Sequence, residues 1–188
     1  MNDRMPPLAP ETLSDEQRKA AAELAAGPRG GVRGPFIALL RSPELMKRLQ
    51  KVGEYLRYQS ALERRLGEFA MLIVARHLSQ QFEWQVHYPL ALEAGLVRET
   101  ADALAQGARP SRMREDEETV YEFCTELLHA HGVCDETYQA AAKRLGERGV
   151  VDLVGLLGYF VTVSLVLNVA HTPALAGTGV AALGAFPR

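Results

Sequence analysis

Residues 64–95, RRLGEFAMLIVARHLSQQFEWQVHYPLALEAG, form the longest segment of this chain in which helical apolar periodicity and strongly polar side chains alternate without a breaker. Leu62, Leu66, Phe69, Leu72 and Ile73 recur at helical spacing and give one apolar face. Ser60 and Glu63 have capping-box spacing, so a helix is expected from there to about Ser79. A second helix is expected from about Gln80 to Ala94, stopped by Gly95. No proline or glycine separates them at 78–82, so the pattern allows either one continuous helix or two bent against each other.

Glu68, Gln80, Glu83 and His87 lie in this segment at spacings of twelve, three and four. Residues three, four and seven apart on a helix project the same way, which puts Gln80, Glu83 and His87 on one face. A carboxylate and an imidazole one turn apart are suited to moving a proton. Phe82, Trp84, Val86, Leu90 and Ala91 supply apolar bulk around that face, as expected where it lines a crevice. Partial burial raises a carboxyl pKa and a nearby imidazolium lowers it, so either member of the pair can serve as acid or base. The plainer alternative is a solvent-exposed Glu–His pair of no consequence. Glu68 has two readings as well: a helix-stabilising pair with Arg64, or, if the helices fold together, a partner for His87. Arg76 has the planar fork to hold a substrate carboxylate, or it pairs with Glu83.

Outward from this segment the chain reads as helix after helix. Towards the N-terminus, Ser42-Pro43-Glu44 is a helix start and the helix runs to about Tyr58. Residues 35–40 make a short apolar turn. Ser14 with Gln17 caps a helix through EQRKAAAELAAG. Gly27, Pro28, Gly30, Gly31 and Gly34 then interrupt the chain without matching a phosphate-binding motif, which reads as a flexible connection or a lid beside a pocket. Residues 1–13 carry three prolines and read as an extended arm. Towards the C-terminus, helices are expected at 97–106, 116–130 and 150–170, and from a cap at Asp135 to about Leu145. Residues 171–188 read as a loop or tail. No stretch alternates long enough for a strand, so the expectation is one all-α domain over 1–188.

Composition narrows the functional classes. The chain has 188 residues, 47% hydrophobic and 23% charged, as for a globular protein, and a formal net charge of −2. It has no basic run that would track phosphates, so no nucleic-acid partner is expected. Residues 153–167, LVGLLGYFVTVSLVL, are uncharged but shorter than the ~20 residues that span a bilayer. They predict a buried helix and no membrane partner, with cover in part from another subunit. No secretory signal is visible, and a cytoplasmic location with reduced thiols is expected. Cys124 and Cys134, ten apart, form neither a redox CxxC nor a zinc pair. His77 reads as structural, and His129, His131 and His171 have no zinc spacing, so no metal is expected. Nothing matches a nicotinamide, flavin, haem or GxSxG signature, so the expected chemistry uses no cofactor.

At this point the segment RRLGEFAMLIVARHLSQQFEWQVHYPLALEAGL resembles the core of the carboxymuconolactone decarboxylase family, which includes the AhpD-like alkylhydroperoxidases. GPFIALLRSPELMKRLQKVGEYLRY resembles the family's N-terminal helix pair, and VDLVGLLGYFVTVSLVLN its closing helix, so the likeness covers residues 34–170. It implies an AhpD-like fold of antiparallel helices around a central helical hairpin, assembled as a trimer or hexamer. The peroxidase branch carries a glutamate, a CxxC and a histidine at positions matching Glu68, Gln80, Glu83 and His87. Here Gln80 and Glu83 replace both cysteines, and neither can take part in thiol–disulfide exchange. Glu83-Trp84-Gln85-Val86-His87 instead has the EWxxH pattern of the decarboxylase branch.

That resemblance implies cofactor-free decarboxylation of 4-carboxymuconolactone to the 3-oxoadipate enol-lactone in aromatic catabolism, or related proton transfer on a lactone or β-keto acid. His87 would act as general acid, with Glu83 or Glu68 orienting it or relaying its proton. Arg76, Gln80 and Trp84 would meet the small-molecule substrate. The competing readings are a non-catalytic helical oligomer with a structural Glu/His network, and a thiol peroxidase rescued by Cys124 and Cys134.

Overall fold

The computed structural model describes residues 2–184, and among them every regular element is helical. After a short 3₁₀ turn at Pro10–Thr12, the helices are α1 Asp15–Ala26, α2 Pro35–Leu39, α3 Pro43–Tyr58, α4 Arg64–His77, α5 Gln81–Glu93, α6 Arg98–Ala105, α7 Glu115–Ala130 and α8 Asp135–Ala170. The all-α expectation holds among the described residues.

The centre of the molecule is α4. Every residue from Arg65 to Arg76 is buried, because α5, α6, α7 and α8 pack around it. Such a helix must be apolar nearly all round, and Leu66, Phe69, Leu72, Ile73 and Val74 make it so. Its two buried charges at the N-terminal end and the middle are compensated by named partners. Arg65 is clasped by Glu117 and, at 2.5 Å, by Asp116, which ties α4 to the start of α7. Glu68 is engaged by α5, as described below.

α4 and α5 are bent, not continuous. Ser79 takes a left-handed conformation (φ 48°), and the amide of Gln80 then bonds back to the Ala75 carbonyl at 2.8 Å. The chain reverses, and Arg64 comes within 3.6 Å of Glu93 at the far end. This is an antiparallel hairpin. A left-handed serine carries no sequence signal as strong as glycine's, so the pattern alone left the junction open.

The structure moves two expected caps and leaves a third in place without a side-chain bond. Ser14 and Gln17 form the capping box as read. Ser60 does not cap α4: its hydroxyl donates back to the Leu56 carbonyl at 2.9 Å, and Glu63 occupies the cap position without a side-chain bond. Ser42 precedes α3, but its side chain makes no capping bond, and Pro43 begins the helix. Cys134, not Asp135, is the residue ahead of α8.

The apolar stretch lies in α8, which turns at Gly146 (φ 70°, ψ 164°), where the sequence expected a separation. By length and composition α8 could cross a membrane, with 56% of its most apolar window buried in the fold. Leu153, Leu156, Leu157, Phe160, Val163 and Leu167 face the core, while Val151, Val154, Leu165 and Val169 are exposed. Cover on all sides was expected; one stripe of the helix is left open. Asp152 in this helix accepts from the Ala61 amide at 2.8 Å and from the Tyr55 hydroxyl at 3.0 Å, fixing the α3–α4 connection.

A second, smaller core joins α1, α2 and the start of α3 through Ala20, Leu24, Phe36, Leu39, Leu40 and Met46. The main core gathers α4 to α8. Between the two lies a cavity.

Candidate active site

Three side chains that sequence placed in one segment meet in space. His87 Nδ1 donates to Glu68 Oε2 at 2.7 Å, and His87 Nε2 stands 3.3 Å from Glu83 Oε2. The α4–α5 hairpin brings Glu68 across to His87, while Glu83 and His87 are one turn apart on α5. Arg64 turns away to Glu93, so the helix-pair reading of Glu68 is not the one adopted.

All three are buried: Glu68 is 5% exposed, Glu83 4% and His87 2%. Burial pushes the imidazole pKa down, but hydrogen bonds to Glu68 and Glu83 and their charges outweigh it, and the net pKa of His87 is raised. The imidazolium form has a donor for each carboxylate. Phe160 stands edge-on to the ring, with centroids 5.1 Å apart and planes at 84°. The buried network is thus satisfied on both nitrogens and shielded on a face.

This cluster opens onto a cavity of about 620 Å³, to which Glu83 and His87 contribute directly. Phe82 and Val86 of α5, Tyr159, Phe160 and Val163 of α8, and Leu175 of the tail add apolar wall. The glycine-rich connection at 28–34 forms the opposite side, so it lies beside a pocket as one of its two readings had it. Gly34 is required there. It has φ 55°, and a Cβ would stand 2.6 Å from the Phe82 ring. The tail is held over α5 by Gln85, whose side chain accepts from the Leu175 amide at 2.7 Å and donates to the Leu175 carbonyl at 3.1 Å.

The three expected substrate contacts lie elsewhere. Gln80 caps α5, accepting from the Glu83 amide at 3.0 Å and donating to Asn168 at 3.2 Å. It sets the helix that carries Glu83 and does not line the cavity. Trp84 is 1% exposed and packs in the core beside Tyr88, since the face of α5 next to the Glu83–His87 face is the one turned inward. Arg76 points to the other side of α4. It donates to the Gly184 carbonyl at 2.8 Å and lines a separate cavity of about 230 Å³ with His77 and His129.

Sequence reasoning missed Arg29, Arg33, Arg57 and Tyr159, all of which line the main cavity. The signal is present in Pro28-Arg29-Gly30-Gly31-Val32-Arg33-Gly34, where two arginines sit among glycines in the connection that borders the pocket. Among the described residues no group of three or more His, Cys, Asp or Glu has metal-holding geometry. Cys124 is buried on α7, where burial pushes its thiol pKa up, and Cys134 is exposed. Neither lines the cavity, so they do not rescue a thiol peroxidase.

The fold and site together define an all-α protein with a buried Glu68–His87–Glu83 cluster beside a cavity. Residues 43–115 match the model of the Carboxymuconolactone decarboxylase family. Among solved structures it is similar to the alkylhydroperoxidase AhpD core of an uncharacterized peroxidase-related protein from Ralstonia eutropha JMP134. That likeness has a TM-score of 0.76 and 14% identity over 93% of each chain, and speaks to the fold alone. No curated protein matches the sequence.

Proposed function

We propose that this protein is a cofactor-free acid–base enzyme that decarboxylates, or transfers a proton on, a lactone or β-keto carboxylic acid. The observation that carries the reading is the position of His87, bonded to Glu68 at 2.7 Å, facing Glu83 at 3.3 Å, and lining a ligand-sized cavity.

Each residue has a distinct part. Glu68 does not line the cavity; it fixes the ring of His87 and holds its charge. Glu83 and His87 meet the substrate. In decarboxylation of a β-keto acid, the bond from the α-carbon to the carboxyl carbon breaks and its electron pair passes into the carbonyl to give an enolate, as CO2 leaves. The enolate carbon then takes a proton from the Glu83–His87 pair, which is restored from water. The raised pKa of His87 favours its imidazolium form, which supplies that proton.

A purely structural Glu/His network would be closed and dry. The cavity at Glu83 and His87 favours catalysis over that alternative. The test is a mass-spectrometric screen of lactone and β-keto acids for CO2 loss, with H87A as control. Absence of turnover across the panel, or turnover untouched in H87A, would sink the proposal.

A further inference from the structure

The cavity is electrically divided. At one end are Glu83 and His87, backed by Glu68, so two carboxyl groups face one imidazole there. At the other end are Arg29 and Arg57, with Arg33 at the exposed rim. Glu83 is the one carboxylate among the described lining residues. None of these three arginines has a carboxylate within ion-pairing distance among the described residues. Arg65, Arg109 and Arg144, by contrast, are all paired.

The two inner guanidiniums are held in place by neutral groups. Arg29 donates to the Tyr159 hydroxyl at 3.3 Å and lies over the Phe36 ring at 4.6 Å. Arg57 lies over the Tyr58 ring at 5.2 Å. The Nε atoms of both are buried without a hydrogen-bond partner. Leaving a buried charged donor unsatisfied costs more than leaving a neutral one. Tyr159 stands between the two ends: burial and the charge of Glu83 raise its pKa, while Arg29 and Arg57 oppose them. Backbone is shaped around this arrangement. A Cβ on Gly53 would stand 2.3 Å from the Tyr159 hydroxyl and 2.7 Å from the Arg29 guanidinium.

We propose that Arg29 and Arg57 form a carboxylate-binding subsite, which sets the orientation of the substrate in this cavity. The inference rests on reading the cavity as a substrate site and adds which end takes the anion. A carboxylate accepts from the free guanidinium edges and is repelled by the Glu68–Glu83 end. The neutral carbonyl or lactone part of the same molecule is thereby directed to Glu83 and His87. A carboxylate held by two guanidiniums is stabilised as a carboxylate, so the group bound there serves recognition, and a substrate that loses CO2 at Glu83 and His87 carries a second carboxyl group there.

The test uses levulinate, a short keto acid, and its neutral methyl ester, titrated into the full-length protein. Affinity is read by ligand-observed NMR and contact by the Nε–H signals of Arg29 and Arg57. Levulinate should bind at least about tenfold more tightly than the ester and shift both Nε–H signals, the size expected for losing one charge-assisted hydrogen bond. R29Q and R57Q should each weaken levulinate about tenfold or more while leaving the ester unchanged. R64Q, which removes an equal charge on the outer surface, should leave both affinities unchanged. Thermal melts establish that the variants are folded. Equal affinity for acid and ester, an effect of R64Q as large as that of R29Q, or no Nε–H shift with levulinate at millimolar concentration overturns the subsite. Turnover is not needed for any of these readings. Acid binding at the arginines without CO2 release from any substrate would leave the subsite standing and remove the decarboxylase reading.

Discussion

Glu68 and His87 are nineteen residues apart in sequence and 2.7 Å apart in the fold, joined by a bond from His87 Nδ1 to Glu68 Oε2. The bond exists because Ser79 reverses the chain between two antiparallel helices, and its consequence is electrostatic. A buried imidazole left alone would shed its proton; held between Glu68 and Glu83, it keeps it. His87 should therefore titrate above the ordinary histidine range in an NMR pH series, and E68Q should bring it down. The folded pKa is raised, so the stability that protonation contributes is fully present below the unfolded-state value. It is lost as pH rises through the folded value. Melts across pH 6–9 should show that decline in the wild type and not in H87A.

Ser79 sets the reversal with φ 48°, a conformation that costs an L-residue about 1 kcal/mol or more and glycine almost nothing. Ser79→Gly is expected to raise stability by up to about 1 kcal/mol, less the extra entropy glycine gains when unfolded. Urea unfolding measures it. Destabilisation by S79G beyond that entropy cost would mean the turn depends on the serine side chain.

Arg65 is buried at the root of α4 and is held by Asp116 and Glu117 of α7. Removing one partner of a buried pair leaves the other charge uncompensated, so Glu117→Ala should cost about 3–5 kcal/mol in chemical denaturation. Asp116 adds an acid-side signature. Burial pushes its carboxyl up, Arg65 pulls it down further, and the net pKa is lowered. Stability from that group is present above the unfolded value and lost as pH falls through the folded one.

Gln80 caps α5 at the residue that leads into Glu83. Gln80→Ala should cost about 1 kcal/mol, the usual worth of a helix cap, and reduce turnover through looser placement of Glu83. A cavity-lining role would instead appear as weaker substrate binding with unchanged stability.

What the sequence made legible followed from periodicity. Apolar residues at helical spacing around Leu66, Phe69 and Ile73 marked the central helix, and the i,i+4 pair Glu83–His87 marked the site. Glu68 stayed open between a pair with Arg64 and a partnership with His87, because spacing along one helix does not decide a contact across a turn, and the family resemblance favoured the second. What failed were assignments that depended on which way α4 and α5 face each other. Arg76 and Trp84 lie within a few residues of Glu83, yet a rotation of one residue along a helix is about 100°. That turned Trp84 into core and Arg76 towards His77 and His129. Arg29 and Tyr159 were hidden for a different reason. They reach the site from far along the chain, 130 residues apart, through loop geometry and a helix that sequence marked only as apolar.

The central claim is that the Glu68–His87–Glu83 cluster carries acid–base catalysis. The most direct measurement is CO2 release from β-keto acids and carboxylated lactones by the wild type, H87A and E83Q at equal concentrations of folded protein. The account predicts turnover of at least one such acid by the wild type, reduced by about 10²-fold or more in both variants. Equal rates in all three proteins would contradict it.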